Sequence, residues 1–260
     1  MREEEEKQPN EENHEQEAEM PFLEHLEELR WRLLYTIIGL VIGAIIAWVF
    51  IDLIVDQWLL RPARNAELSL QNLKPFGKLF LYVEVALITG FVISIPNVFY
   101  QLWLFISPAL RKSERKYVTA VVAFSSLCFL LGIVFAYYIM LPITLKFAGQ
   151  FGTEAIENNF AIDEYFSIII SVMLAAGLIF ELPMLSYFLS KIGILSPQIM
   201  RKFRRHSLIV ILFAAAILTP GGDPIAQVLL AVPLAVLYEI SIYISKVVRR
   251  NKEEKLQEHE

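Results

Sequence analysis

Four stretches of this 260-residue chain, 33–51, 84–110, 117–145 and 162–190, run for 19 to 29 residues with almost no charged side chain. A helix rises about 1.5 Å per residue and a bilayer core is about 30 Å thick, so about 20 such residues cross it. A soluble domain of this length would hide its apolar residues in one or two cores behind a charged surface, and blocks of this kind exclude that arrangement. The second and third blocks exceed one span. Their surplus is expected to form interfacial turns around Pro108 and Pro142, since proline interrupts the helical ladder.

A further apolar stretch between Arg205 and Glu239 is broken by Thr219, Pro220, Gly221, Gly222, Asp223 and Pro224, a dense turn cluster. It reads as a hairpin whose arms of about 13 or 14 residues give about 20 Å of helix each, short of the hydrocarbon thickness. Two short spans that thin the bilayer fit this pattern, and so does a re-entrant hairpin.

Lysine and arginine mark cytoplasmic segments. With six spans and both termini inside, the inner segments hold 18 of these residues and the outer loops five (Arg61, Arg64, Lys74, Lys78 and Lys146). The expected fold is therefore an all-α integral membrane protein of six transmembrane helices with cytoplasmic termini. Its last two helices are short, and an amphipathic interfacial helix precedes the first span. Residues 1–19 read as a disordered acidic tail, 20–246 as a single six-helix transmembrane domain, and 247–260 as a charged cytoplasmic tail. No internal repeat and no Gly/Ser linker divides the chain.

The net charge of −5 misleads, because the first 19 residues alone carry −7, leaving +2 for the rest. Neither nucleic acid nor an acidic substrate is implied. The polar, acidic start lacks the basic-then-apolar pattern of a cleavable secretory signal. The chain has no phosphate-cradling glycine motif and no His-Glu-x-x-His, and its lone Cys128 lies inside an apolar block. No cofactor, no metal and no enzymatic activity are expected.

Several polar groups stand out from the apolar background. Phe22, Leu26, Leu29 and Leu33 share one helical face and Glu24, Glu28 and Arg32 another, as in an amphipathic helix at the inner surface opened by Pro21. Glu28 there either pairs with Arg32 at i,i+4 or receives an incoming cation. Glu114 is the one acid among four bases in the next inner segment. It either complements the dipole of a helix capped by Ser113 or shares the cytoplasmic face with Glu28 as a second guanidinium receptor. Glu181 lies ten residues from Lys191, about 15 Å deep, where an ionisable group is neutral, paired or facing a wet cavity. Asp223 reads as a helix cap or part of an outer-turn contact, and Gln227 as a hydrogen-bonding contact to another transmembrane helix. Gly39, Gly43 and Ala47 form a small-residue stripe suited to close helix packing.

Together these segments resemble the TatC family, the multi-spanning subunit of the twin-arginine protein translocase. The resemblance runs from Pro21 to about Arg250. It rests on His25-Leu-Glu-Glu-Leu-Arg30, Tyr100-Gln-Leu-Trp-Leu-Phe-Ile-Ser-Pro-Ala-Leu110 followed by Glu114-Arg-Lys, Phe135-Ala-Tyr137, Phe180-Glu-Leu-Pro183, Leu218-Thr-Pro220 with Asp223 and Gln227, and Ala231-Val-Pro233 continuing to Tyr238-Glu-Ile240. It implies a receptor and scaffold in the bacterial cytoplasmic (inner) membrane that exports folded proteins on the proton-motive force. Implied partners are twin-arginine signal peptides of folded precursors, single-span TatA/TatB-type subunits, further copies of the chain and membrane lipid. By the same resemblance Glu28 and Glu114 match the carboxylates that read twin arginines, with Arg30 and Phe105 nearby. Pro62 and Tyr137 match other functionally important positions, Glu181 a polar position on the concave face, and Thr219, Asp223 and Gln227 the region that meets the single-span subunits. A rival reading is a proton-coupled secondary transporter using Glu181 with Glu84.

Overall fold

The computed structural model describes the backbone of residues 11–106, 118–150, 159–218 and 224–257. Helix α1 (Glu11–Val49) carries the first apolar block. A π-helical stretch, Leu53–Leu59, and the short α2 (Arg61–Asn65) turn the chain toward strand β1 (Ser69–Gln71) and helix α3 (Gly77–Ile106). Helix α4 (Val118–Phe135) passes through a second π-helical stretch, Ala136–Met140, into α5 (Leu141–Gln150). Strand β2 (Asn159–Ala161) leads into α6 (Ile162–Ile179), α7 (Leu182–Ile192), α8 (Pro197–Lys202), α9 (Arg204–Leu218) and α10 (Pro224–Gln257).

Among the described residues five segments are long and apolar enough to span a bilayer: His25–Val49, Gly77–Ile106, Val118–Lys146, Ile162–Ile192 and Ala231–Arg250. The expected fifth span corresponds to α9, whose 15 residues give about 22 Å of helix, too short to cross unaided. Its partner is not short. Helix α10 runs for 34 residues, because its apolar arm continues past Pro233 and, after Glu239, meets no further proline or glycine before the helix-forming charged segment at its end.

Other expectations need correction. The amphipathic segment before the first span is not a separate interfacial helix; it is one continuous helix with the span, since nothing between Phe22 and Gly39 breaks the ladder. That helix begins at Glu11, so Pro21 does not open it. Pro142 makes no interfacial turn either. The π-helical stretch just before it relaxes the ladder where the proline ring would strike a carbonyl four residues back, and the helix continues to Gln150. Pro108 lies outside the described residues. The fourth span is broken at Phe180 and Glu181, with Pro183 in the first turn of α7. The fold is also not purely helical: β1 and β2 pair in parallel, Ser69 with Asn159 through Gln71 with Ala161. Lys74 donates to Asp163 beside this pair, and that hydrogen bond holds the ammonium above its ordinary pKa.

Large apolar side chains point outward, among them Ile45, Phe80 and Phe213 at 60%, 68% and 68% exposure. In water such a surface would aggregate, whereas in lipid it is solvated. With lipid on the outside, helix association rests on close packing and interhelical hydrogen bonds. The stripe on α1 serves this internal packing. A Cβ on Gly43 would lie 2.4 Å from the Gly90 carbonyl oxygen of α3, and one on Gly90 would lie 2.4 Å from the Ala44 nitrogen. Helices α4 and α6 cross as closely, since a Cβ on Gly132 would sit 2.5 Å from the Ala176 oxygen.

Tyr165, 1% exposed, anchors the turn after α1: its hydroxyl donates to the Leu59 carbonyl at 2.7 Å and accepts from the Ala63 N–H at 3.0 Å. Tyr165→Phe strands both backbone groups in a buried site and is expected to cost about 1–3 kcal/mol. Thermal unfolding of the full chain in detergent, compared with the lipid-facing Leu87→Ala, measures it; an unchanged midpoint would count against the anchor.

Candidate functional site

The amino-terminal part of α1 runs antiparallel to the end of α3, and a ladder of polar contacts joins them. Ser94 donates to the Gly39 carbonyl at 2.7 Å, Asn97 to the Tyr35 carbonyl at 3.2 Å, and Gln101 reaches Asn97 at 3.5 Å. These α3 residues, with Phe105, recur every three or four positions and so form one helical stripe facing α1. Each rung satisfies a polar group at a helix contact where water is scarce.

The ladder ends in charge. Arg32 donates through Nη2 to the Glu28 carboxylate at 3.0 Å and through Nη1 to Gln101 Oε1 at 3.5 Å. One turn further out, the His25 ring stacks on Phe105 with centroids 4.4 Å apart and planes 18° from parallel, and its Nδ1 lies 3.9 Å from Glu28. Glu28 is thus a half-buried carboxylate in an aromatic and amide setting that already holds a guanidinium. Helix α7 buttresses this end through Phe188, packed edge-on against Trp103 at 4.7 Å. Arg30 is exposed and in no ion pair among the described residues. Glu114 lies outside the described residues, in the segment between Ile106, adjacent to Phe105, and Val118.

Pro62 and Tyr137 are not part of this cluster. They sit at the opposite end of the bundle, where Pro62 is buried in the first turn of α2 and the Tyr137 hydroxyl donates to the Trp58 carbonyl at 2.8 Å. From Glu28 to Val49 along α1 the separation of the two ends is about 30 Å. Glu181 is between them, at the α6/α7 break. It is 7% exposed, close to Ser125 and Phe129 of α4, with its Oε1 lacking a hydrogen-bond partner. Gln227 donates to the Leu212 carbonyl at 2.9 Å, tying α10 to α9; Thr219 and Asp223 lie outside the described residues.

The family model described as Sec-independent protein translocase protein (TatC) matches residues 24–233. The chain belongs to the TatC family. The TatC protein of Aquifex aeolicus is 38% identical over 239 residues, covering 90% of this chain and 98% of its own. That of Carboxydothermus hydrogenoformans is 35% identical over 230 residues, with 88% and 94% coverage. A crystal structure described as the twin arginine translocase receptor TatC superposes with a TM-score of 0.75 at 37% identity, covering 86% of this chain and 99% of that one. This TatC-family chain is accordingly a multi-pass membrane protein and a component of Sec-independent protein translocation. The transporter reading finds no support: Glu181 is packed against α4, Glu84 is exposed on the outside of α3, and the comparisons point to translocases.

Arg32, Gln101, Asn97 and Ser94 were not read as a unit from the sequence. The signal was present as amides and a hydroxyl at positions 94, 97 and 101 in an otherwise apolar block. It had no meaning until α1 was placed beside that face.

Proposed function

We propose that this chain is the receptor and core scaffold of a twin-arginine translocase in the bacterial inner membrane. In this reading it is a non-enzymatic protein with both termini cytoplasmic, and it takes the Arg-Arg signal peptides of folded precursors at the Glu28 end. The carrying observation is the Glu28 carboxylate itself, partly exposed next to the end of α3, which precedes Glu114 in the chain, and already engaged by a guanidinium. A guanidinium presents a planar fork to carboxylate oxygens that an ammonium cannot copy, so the site discriminates Arg-Arg from Lys-Lys. Arg30 adds a rim charge, and Phe105 with His25 supplies a flat wall against which a guanidinium or its methylene stem packs. The decisive experiment is a pull-down from detergent extract of the full chain with an Arg-Arg signal peptide and its Lys-Lys counterpart. Equal capture by both peptides overturns the reading.

The short α9 and its hairpin are the proposed docking region for single-span partner subunits, with Thr219, Asp223 and Gln227 on the contact side. A helix too short for the bilayer leaves a thinned zone that another helix fills at lower cost than lipid. Cysteine placed at Gln227 is expected to crosslink to a single-span subunit in native membranes; adducts only to other copies of this chain would place the partners elsewhere. In the same reading several copies assemble in the working complex, and the proton-motive force drives transport of the folded cargo.

A further inference from the structure

At the end of the bundle opposite Glu28, two cavities share a wall. One is an apolar slot of about 270 Å³ between α3, α4 and α6, with Val85, Thr89, Val134, Ile170 and Leu174 among its lining residues. The other opens above it and is lined by Arg61, Asn65, Glu67 and Lys146. Tyr137 and Tyr138 line both, so the polar pocket stands at the mouth of the apolar slot. Trp58 and Tyr138, 54% and 59% exposed, flank that mouth as aromatic residues do at a membrane interface.

The geometry points to a binding site for one phospholipid molecule, its phosphodiester on Arg61 and Lys146 and an acyl chain in the slot. Two observations carry this. First, the slot fits within a single leaflet: its lining on α3 runs from Val85 to Val92, about 10 Å of helix, less than half the hydrocarbon thickness of about 30 Å. Second, the charges match a headgroup. Arg61 and Lys146 are exposed and in no ion pair among the described residues, so both are available to a phosphate. Glu67 lines the same pocket, where it opposes a second negative charge and accepts an ammonium. The lipid chemistry that satisfies all three side chains is a zwitterionic headgroup with a primary amine beside the phosphodiester, as in phosphatidylethanolamine.

The site is independent of the Glu28 cluster, so its test does not depend on peptide recognition. Delipidated full-length chain in detergent is titrated with phosphatidylethanolamine and with phosphatidylglycerol, and bound lipid is counted by native mass spectrometry. The wild type is expected to retain phosphatidylethanolamine in preference. Arg61→Gln with Lys146→Gln is expected to lower retention about tenfold, the loss anticipated for charge-assisted contacts, while Arg61→Lys keeps most of it. Val134→Phe, which fills the slot and leaves both bases in place, is expected to lower it several-fold as well. Soluble phosphoethanolamine, a headgroup with no chain, is not expected to bind. Retention unchanged in the double glutamine variant, or in Val134→Phe, overturns the site. Equal retention of phosphatidylglycerol removes the role given to Glu67, and tight binding of soluble phosphoethanolamine removes the acyl slot.

Discussion

Glu28→Ala is expected to weaken binding of an Arg-Arg signal peptide by about 10- to 100-fold. A charge-assisted hydrogen bond in a partly desolvated site contributes about 1.5–3 kcal/mol, and each 1.4 kcal/mol is a factor of ten in affinity. Removing the carboxylate also leaves Arg32, now held at 3.0 Å from it, as an uncompensated positive charge facing the incoming arginines. Both effects act in the same direction. The control is Arg32→Gln. If Glu28 served only its i,i+4 partner, either variant would do no more than loosen the middle of α1, by a few tenths of a kcal/mol. If Glu28 receives the peptide, Arg32 competes for the same oxygen and its removal strengthens binding. Fluorescence anisotropy of a labelled peptide against the full chain in detergent separates the two, and wild-type affinity in Glu28→Ala removes Glu28 from the site.

Gly90→Val is expected to be among the most damaging single substitutions in the bundle. The added Cβ would meet the Ala44 nitrogen at 2.4 Å and its Cα at 2.5 Å, and both contacts are backbone atoms that no rotamer change can move. The helices must separate, and overpacking of this kind costs about 1–3 kcal/mol even where side chains can yield. Separation would also lengthen the Ser94 to Gly39 hydrogen bond and spread the polar ladder below Arg32. The expected result is a thermal midpoint lowered by several degrees together with reduced peptide affinity, although residue 90 is far from Glu28. Leu87→Ala on the lipid-facing side of the same helix should change neither. A Gly90→Val protein with wild-type stability would mean that the α1/α3 crossing is looser than described.

Much of the fold was legible in the residues because the lipid environment leaves few choices. Blocks of apolar residues as long as 33–51 and 162–190 have to close their own backbone hydrogen bonds, which in a bilayer means helix. The small stripe at Gly39, Gly43 and Ala47 was legible for a similar reason, since small side chains at helical spacing allow two backbones to approach. Local rules failed where neighbours decided the outcome. Proline at 142 is a breaker by itself, yet the preceding π-helical stretch absorbs it, and Pro183 marks a break that begins three residues earlier at Phe180. The parallel pairing of Ser69–Gln71 with Asn159–Ala161 joins segments 90 residues apart and carries no periodic signal of its own.

The candidate site divides in the same way. Glu28 was visible as an acid on a helix entering the membrane, and the family motifs around it were specific enough to place it. What completes its surroundings comes from α3: Gln101 under Arg32 and Phe105 against His25. Pro62 and Tyr137, which share the family resemblance with Glu28, prove to hold the opposite end of the bundle.

By itself the sequence determined that this chain lives in a membrane, where its long apolar blocks lie and which family it belongs to, because hydropathy and short motifs are properties of contiguous residues. Only the tertiary structure decided that Arg32 already occupies Glu28, that Glu181 is packed inside the bundle, and that Arg61 and Lys146 stand over an apolar slot. Those facts depend on which helix faces lie together, and that is set by close approach between residues far apart in the chain.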